Sequence, residues 1–108
     1  MKVFQHGNII IKLGQNAKEN ALLVSESEPD HTWIHLESFP SGHVIVQCAE
    51  PSNEVLVHAM KTCLDGTKYK NMKNVKVSVT KVSNLKLTNV LGEVEFKSNR
   101  KVQSLKIN

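Results

Sequence analysis

Aromatic residues are scarce in this chain of 108 residues: three phenylalanines, one tyrosine and one tryptophan. So few ring faces exclude a broad stacking surface and limit any grip on nucleobases to one or two. Cysteine is scarcer still, with only Cys48 and Cys63. Both fall in apolar periodic stretches, which predicts buried free thiols rather than a disulfide and, with them, a cytoplasmic location. The opening MKVFQHGNIIIKLG is a poor signal peptide and a good first strand or hairpin. No apolar run approaches the roughly 18–20 residues of a membrane span. Internal repeats, low-complexity tracts and linkers are also missing. The length is that of one domain over residues 1–108, sufficient to bury a core without staples.

Several catalytic signatures are missing too. There is no Gly-x-Ser-x-Gly elbow, no His-Glu-x-x-His and no cysteine paired with histidine in a known motif. Three of the seven carboxylates of the first half cluster in the loop SESEPD rather than facing one another across a site. His31 and His35 are four apart, which suits metal ligation on a helix. On a strand it sets them about 13 Å apart. The expectation is therefore no metal, no cofactor and no enzymatic activity.

Charge is present and unevenly spread. Residues 1–60 hold three lysines and seven acids, whereas residues 61–108 hold eleven basic groups and three acids. A positive second half favours a polyanionic partner and speeds encounter with it. Lys68, Lys70 and Lys73 flank Tyr69, Asn71 and Met72; Lys76, Lys81, Lys86, Arg100 and Lys101 follow. Lysine interleaved with tyrosine and asparagine suits RNA as well as it suits solvent.

The densest chemistry lies in DHTWIHLESFPSGHVIV, from Asp30 to Val46, which holds the lone Trp33 with His31, His35 and His43. Alternation over Thr32–Glu37 turns Trp33 and His35 to one face and Thr32, Ile34 and Leu36 to the other. Ser38–Gly42 is the turn and His43–Cys48 an inner strand. Two roles stay open for the cluster. It can be a packed group whose ring nitrogens bond carbonyls or Ser41, or a stacking platform for one or two bases.

The remaining elements follow from periodicity. Asn8–Leu13 reads as a strand, and Asn16 caps a short helix reaching about Ser25. Pro51–Glu54 opens a second helix with Val55, Leu56, Ala59, Met60, Cys63 and Leu64 as its apolar stripe, ended by Asp65-Gly66. Strands follow over Val75–Thr80, around Val94 and Phe96, and over Val102–Ile107. The order is strand, helix, two strands, helix, three strands. This is an α+β domain: a mostly antiparallel mixed sheet with two helices covering a face.

Three ordered motifs carry a family resemblance: Gly14-x-Asn16-Ala17-Lys18-Glu19-Asn20, Asp30-x-x-Trp33-Ile34-His35-Leu36 and Pro40-Ser41-Gly42-His43-Val44-Ile45-Val46. With Ser83-Asn84-Leu85-Lys86 and Gly92-x-Val94-x-Phe96, the chain resembles the NFACT-R domain over nearly its whole length. It is most similar to the small stand-alone members of the coiled-coil-domain-containing type, without their charged helical extension. Two residues separate Asp30 from Trp33 where the family usually has one, and the turn reads Pro-Ser-Gly-His. The resemblance implies an RNA-binding module for tRNA or ribosomal RNA in translation and ribosome quality control. It also implies ribosome-associated protein partners, and some small relatives are associated with DNA. The site it implies is Asn16, Asn20, Trp33, His35, Ser41 and His43, with neighbouring lysines such as Lys18. Two other readings remain at this point: a nucleic-acid-processing enzyme using His35 and His43, and a protein-interaction adaptor without RNA contact.

Overall fold

The computed structural model describes residues 1–107. The first two strands are a tight hairpin: β1 (Lys2–His6) pairs with β2 (Ile9–Leu13), His6 lying opposite Ile9. A two-residue turn is left, with Gly7 at φ +61°. That angle is the first position of a primed turn, where glycine carries no steric penalty.

Helix α1 (Ala17–Glu26) starts where the sequence predicts, because Asn16 Oδ1 accepts the Glu19 N–H at 2.9 Å. Strands β3 (Thr32–Leu36) and β4 (Val44–Val46) form the central hairpin. Helix α2 (Asn53–Asp65) is capped by Ser52, whose Oγ accepts the Val55 N–H, and ends on Gly66. Strands β5 (Lys76–Lys81), β6 (Leu85–Leu87), β7 (Val94–Phe96) and β8 (Gln103–Lys106) complete the chain.

The sheet order is β1-β2-β4-β3-β5-β8, and β6 and β7 form a separate two-stranded ribbon. Every pairing in both is antiparallel. The opening segment is the hairpin of the two forms its sequence allows, since Gly7-Asn8 reverses the chain. The α+β class stands, with two corrections of detail. The last third holds four strands, because Leu85–Leu87 pairs with Val94–Phe96. The helices take opposite faces rather than one. Helix α2 buries Val55, Ala59, Met60 and Cys63 against Ile34, Leu36, Val44 and Val46. On the other face, Leu23 and Val24 of α1 join Leu85, Val94 and Phe96 over Trp33 and Ile45. Alternation along β3 and β4 feeds both cores at once, which is why His43–Cys48 reads as a continuous apolar run.

Both cysteines are free, but only Cys63 is buried; Cys48 is half-buried beyond the end of β4. Burial pushes the Cys63 thiol up to about 11, so it behaves as a small apolar side chain.

Candidate functional site

Trp33 and His35 project together from β3 to the α1 side of the sheet. Their rings are parallel within 5°, with centroids 5.7 Å apart. His43 stands edge-on to both, at 5.4 Å from Trp33 and 5.2 Å from His35. Phe96 of the ribbon meets the indole edge-on at 5.6 Å. Strand periodicity places the first pair, the turn brings back His43, and the ribbon supplies Phe96. Between these rings and the 88–93 loop lies a pocket of about 420 Å³. Trp33 and His43 are 2% and 4% exposed, whereas Val90 and Leu91 at the rim are 58% and 62% exposed.

The polar atoms of this cluster are only partly satisfied. His35 Nδ1–H donates to the Leu36 carbonyl at 2.6 Å, which fixes the tautomer and leaves Nε2 as an acceptor. Trp33 Nε1 and His43 Nδ1 are buried with no hydrogen-bond partner among the described residues. Each unpaired buried group costs about 1–3 kcal/mol. Burial, and the neighbouring His35, push His43 down to about 4. Burial also lowers His35, partly offset by its bond to Leu36. At neutral pH both imidazoles are therefore uncharged and exert no pull on phosphate.

Ser41 belongs elsewhere. Its Oγ accepts the Leu36 N–H at 3.1 Å and donates to the Gly42 carbonyl at 3.0 Å, with Cys63 Sγ at 3.6 Å. Among the described residues no hydrogen bond joins it to an imidazole. Together with Asn16, Asn20 and Lys68 it lines a second depression of about 450 Å³. Asn20 Oδ1 accepts the His43 N–H at 3.0 Å and so ties α1 to the entry of β4. Tyr69 is committed to packing, its ring 4.6 Å from that of Phe39 and 5.5 Å from Lys68 Nζ.

The basic residues divide among several places. Lys70 and Lys73 join Lys61 around a hollow at the end of α2. Lys86 lies on the ribbon directly across from Glu95. Lys18 is exposed on α1. Lys81, Arg100 and Lys101 do come together, lining a groove of about 430 Å³ with Glu50 as its single acid. An adjoining hollow shares Lys81 and Lys101 and adds Lys97. Sequence reasoning missed Lys97. Its place at the end of the alternating Glu93-x-Glu95-x-Lys97 face was the available signal.

A buried asparagine that reasoning also missed holds this groove. Asn84 Nδ2 donates to Thr80 Oγ1 at 3.1 Å and to the Ser98 carbonyl at 2.9 Å, while Oδ1 accepts the Ser98 N–H at 3.0 Å. Its own carbonyl accepts the Lys97 N–H at 2.8 Å. Thr80 Oγ1 in turn donates to the Lys101 carbonyl at 2.8 Å. One amide therefore pins the 97–101 segment to the end of β5 beside Lys81. Asn84→Ala should cost about 2–3 kcal/mol in urea unfolding, leaving the Ser98 N–H unpaired. A loss below half that would show that the segment is held by other contacts.

No protein-family model matches the chain. The Rqc2 homolog RqcH of Bacillus subtilis (strain 168) is 27% identical over 82 residues, which is 75% of this chain and 14% of that protein. That similarity supports an NFACT-related domain without assigning the RNA-binding subtype. The C-terminal part of the fibronectin/fibrinogen-binding protein of Streptococcus suis shares the fold. Its TM-score is 0.84 at 23% identity, covering 94% of this chain and 41% of that one. The chain thus spans 14% of the length of RqcH and less than half of the solved Streptococcus suis chain.

Proposed function

We propose that this chain is a non-enzymatic RNA-binding domain of the NFACT-R kind, acting on tRNA or ribosomal RNA in ribosome-associated quality control in the cytoplasm. The observation that carries it is the groove lined by Lys81, Arg100 and Lys101, with Lys97 in the adjoining hollow, fixed by Asn84. Four cations on a braced surface suit a phosphate backbone, because bases add specificity only once phosphates set the register. The similarity to RqcH over most of the chain supports the ribosomal setting, and with it ribosome-associated protein partners. Against catalysis by His35 and His43 stand two features: Ser41 is engaged by Leu36 and Gly42, and burial lowers the proton affinity of both imidazoles, which makes them weak general bases.

The test is tRNA binding by fluorescence anisotropy across a salt series, with DNA of matched length beside it. Four phosphate contacts predict a log–log slope of about −3. Replacing Lys81, Arg100 and Lys101 by glutamate should weaken binding about tenfold or more, with unfolding unchanged. The same exchange at Lys68, Lys70 and Lys73 gauges the second cluster. Salt-independent binding, or cleavage of the RNA that disappears in His43→Ala, would overturn the reading.

A further inference from the structure

We propose that the pocket over Trp33 and His35 receives a single guanine base of the bound RNA, gripped by its donor-bearing edge; this rests on the RNA-binding reading above. The lining decides the ligand. No lysine or arginine borders the pocket, while Glu37 and Glu93 stand at its rim. A phosphate would meet carboxylates and uncharged imidazoles there, so the charged backbone stays outside. The Trp33 and His35 rings stack on each other within 5° of parallel, and His35 is the half-buried member of the pair. A planar heteroaromatic can extend such a stack on the His35 side whatever its sequence context. A volume of about 420 Å³ falls in the range of small-ligand sites, about 300–1,000 Å³.

Hydrogen bonding then chooses among bases. His35 Nε2 is an acceptor, because Nδ1 carries the proton bonded to Leu36. Carboxylates are acceptors only. An edge complementary to them must present donors side by side. Guanine does so with N1–H and N2–H₂, and one carboxylate can accept both. Adenine and cytosine set a donor beside an acceptor, and uracil sets one donor between two acceptors. A second observation marks the same place: Trp33 Nε1 and His43 Nδ1, on side chains that line the pocket, have no hydrogen-bond partner among the described residues. A base carrying both donors and acceptors is the kind of ligand that can use them. A guanidinium group offers a similar donor array. The positive excess of residues 61–108 disfavours it.

The basic hollow adjoins one end of the ribbon, and the pocket runs along β7 from the 90–93 loop to Phe96. Phe96 and Leu85 adjoin the Asn84–Ser98 end, and Val94 and Leu87 the 88–93 end. Three-residue strands span about 7 Å, so one strand of RNA can hold both.

The experiment compares oligouridine with the same oligomer carrying one central guanosine, using the full chain and the fluorescence of Trp33, its only tryptophan. Adenosine at that position and arginine amide are the controls. The guanosine oligomer should bind about tenfold tighter than oligouridine and quench Trp33. The exposed substitution Glu93→Gln should erase that preference and leave the unfolding midpoint in place. Equal affinity for all oligomers, quenching by arginine amide alone, or an unaltered preference in Glu93→Gln would overturn the guanine pocket. tRNA binding is followed in parallel. Salt-dependent tRNA binding without guanosine preference removes the pocket and keeps the RNA reading. Loss of all RNA binding removes both.

Discussion

Gly42→Ala should destroy the fold. A methyl group at Gly42 would sit on the Gly14 carbonyl oxygen and 2.9 Å from Leu13 Cδ1. Two backbones meet at this point, the end of β2 and the entry to β4, and neither can swing aside as a side chain can. The Gly14 N–H donates to the His43 carbonyl at 3.0 Å, and the His43 N–H donates to Asn20 Oδ1 at 3.0 Å. Separating the strands would break both bonds and detach α1 from the sheet. Overpacking alone costs about 1–3 kcal/mol. With two hydrogen bonds added, the loss reaches roughly 4–5 kcal/mol, most of the stability of a small domain. Gly7→Ala is the control. Gly7 has φ +61° and nothing within 4 Å of an added methyl, so only the backbone penalty of about 1–2 kcal/mol applies. Urea titrations followed by Trp33 emission compare the two. A Gly42→Ala protein as stable as Gly7→Ala would show that the β2–β4 junction is looser than described.

Acid should loosen the protein through His43. Its folded value of about 4 lies below its ordinary 6.5, so the unfolded chain takes up the proton first. The stability linked to the neutral ring is complete above pH 6.5. It falls as the pH drops from 6.5 to about 4, and is flat below that. A shift of this size corresponds to about 3 kcal/mol. His35, lowered in the same direction, adds to the slope. Urea unfolding at pH 7.5, 5.5 and 4 would measure the slope in the parent and in His43→Gln. The glutamine costs stability at every pH, but it should remove most of the change between 6.5 and 4. Parallel curves for the two proteins would assign the acid sensitivity to other groups.

Much of this arrangement is legible in the residues, and the limits have physical causes. Alternation places Trp33 and His35 on one face because a strand has period two, and β3 obeys it. Asn16 and Ser52 announce their helices because a cap is a contact within three residues. The Asn20–His43 and Asn84–Ser98 bonds join residues 23 and 14 apart, and no local pattern encodes them. Strand β6 escapes notice for another reason. Its three residues, Leu85–Leu87, are too few for a period, and its partner lies beyond a loop. The basic groove is a half-success: charge counting finds Lys81, Arg100 and Lys101 but scatters them among lysines that the fold sends elsewhere. The opposite placement of the helices follows from β3 and β4 being apolar on both sides, which the run Val44-Ile45-Val46 states and a count of helices does not.

The ribbon over the indole shares no ladder hydrogen bond with the six-stranded sheet. Each of its strands is three residues long, and an isolated two-stranded ribbon is marginal in water. The two networks can therefore come apart in sequence. Amide protons of β6 and β7 should exchange with solvent through a small local opening, while those of β3 and β5 wait for the whole molecule to unfold. Water thus reaches the face of Trp33 on a timescale set by the ribbon, with the main sheet intact.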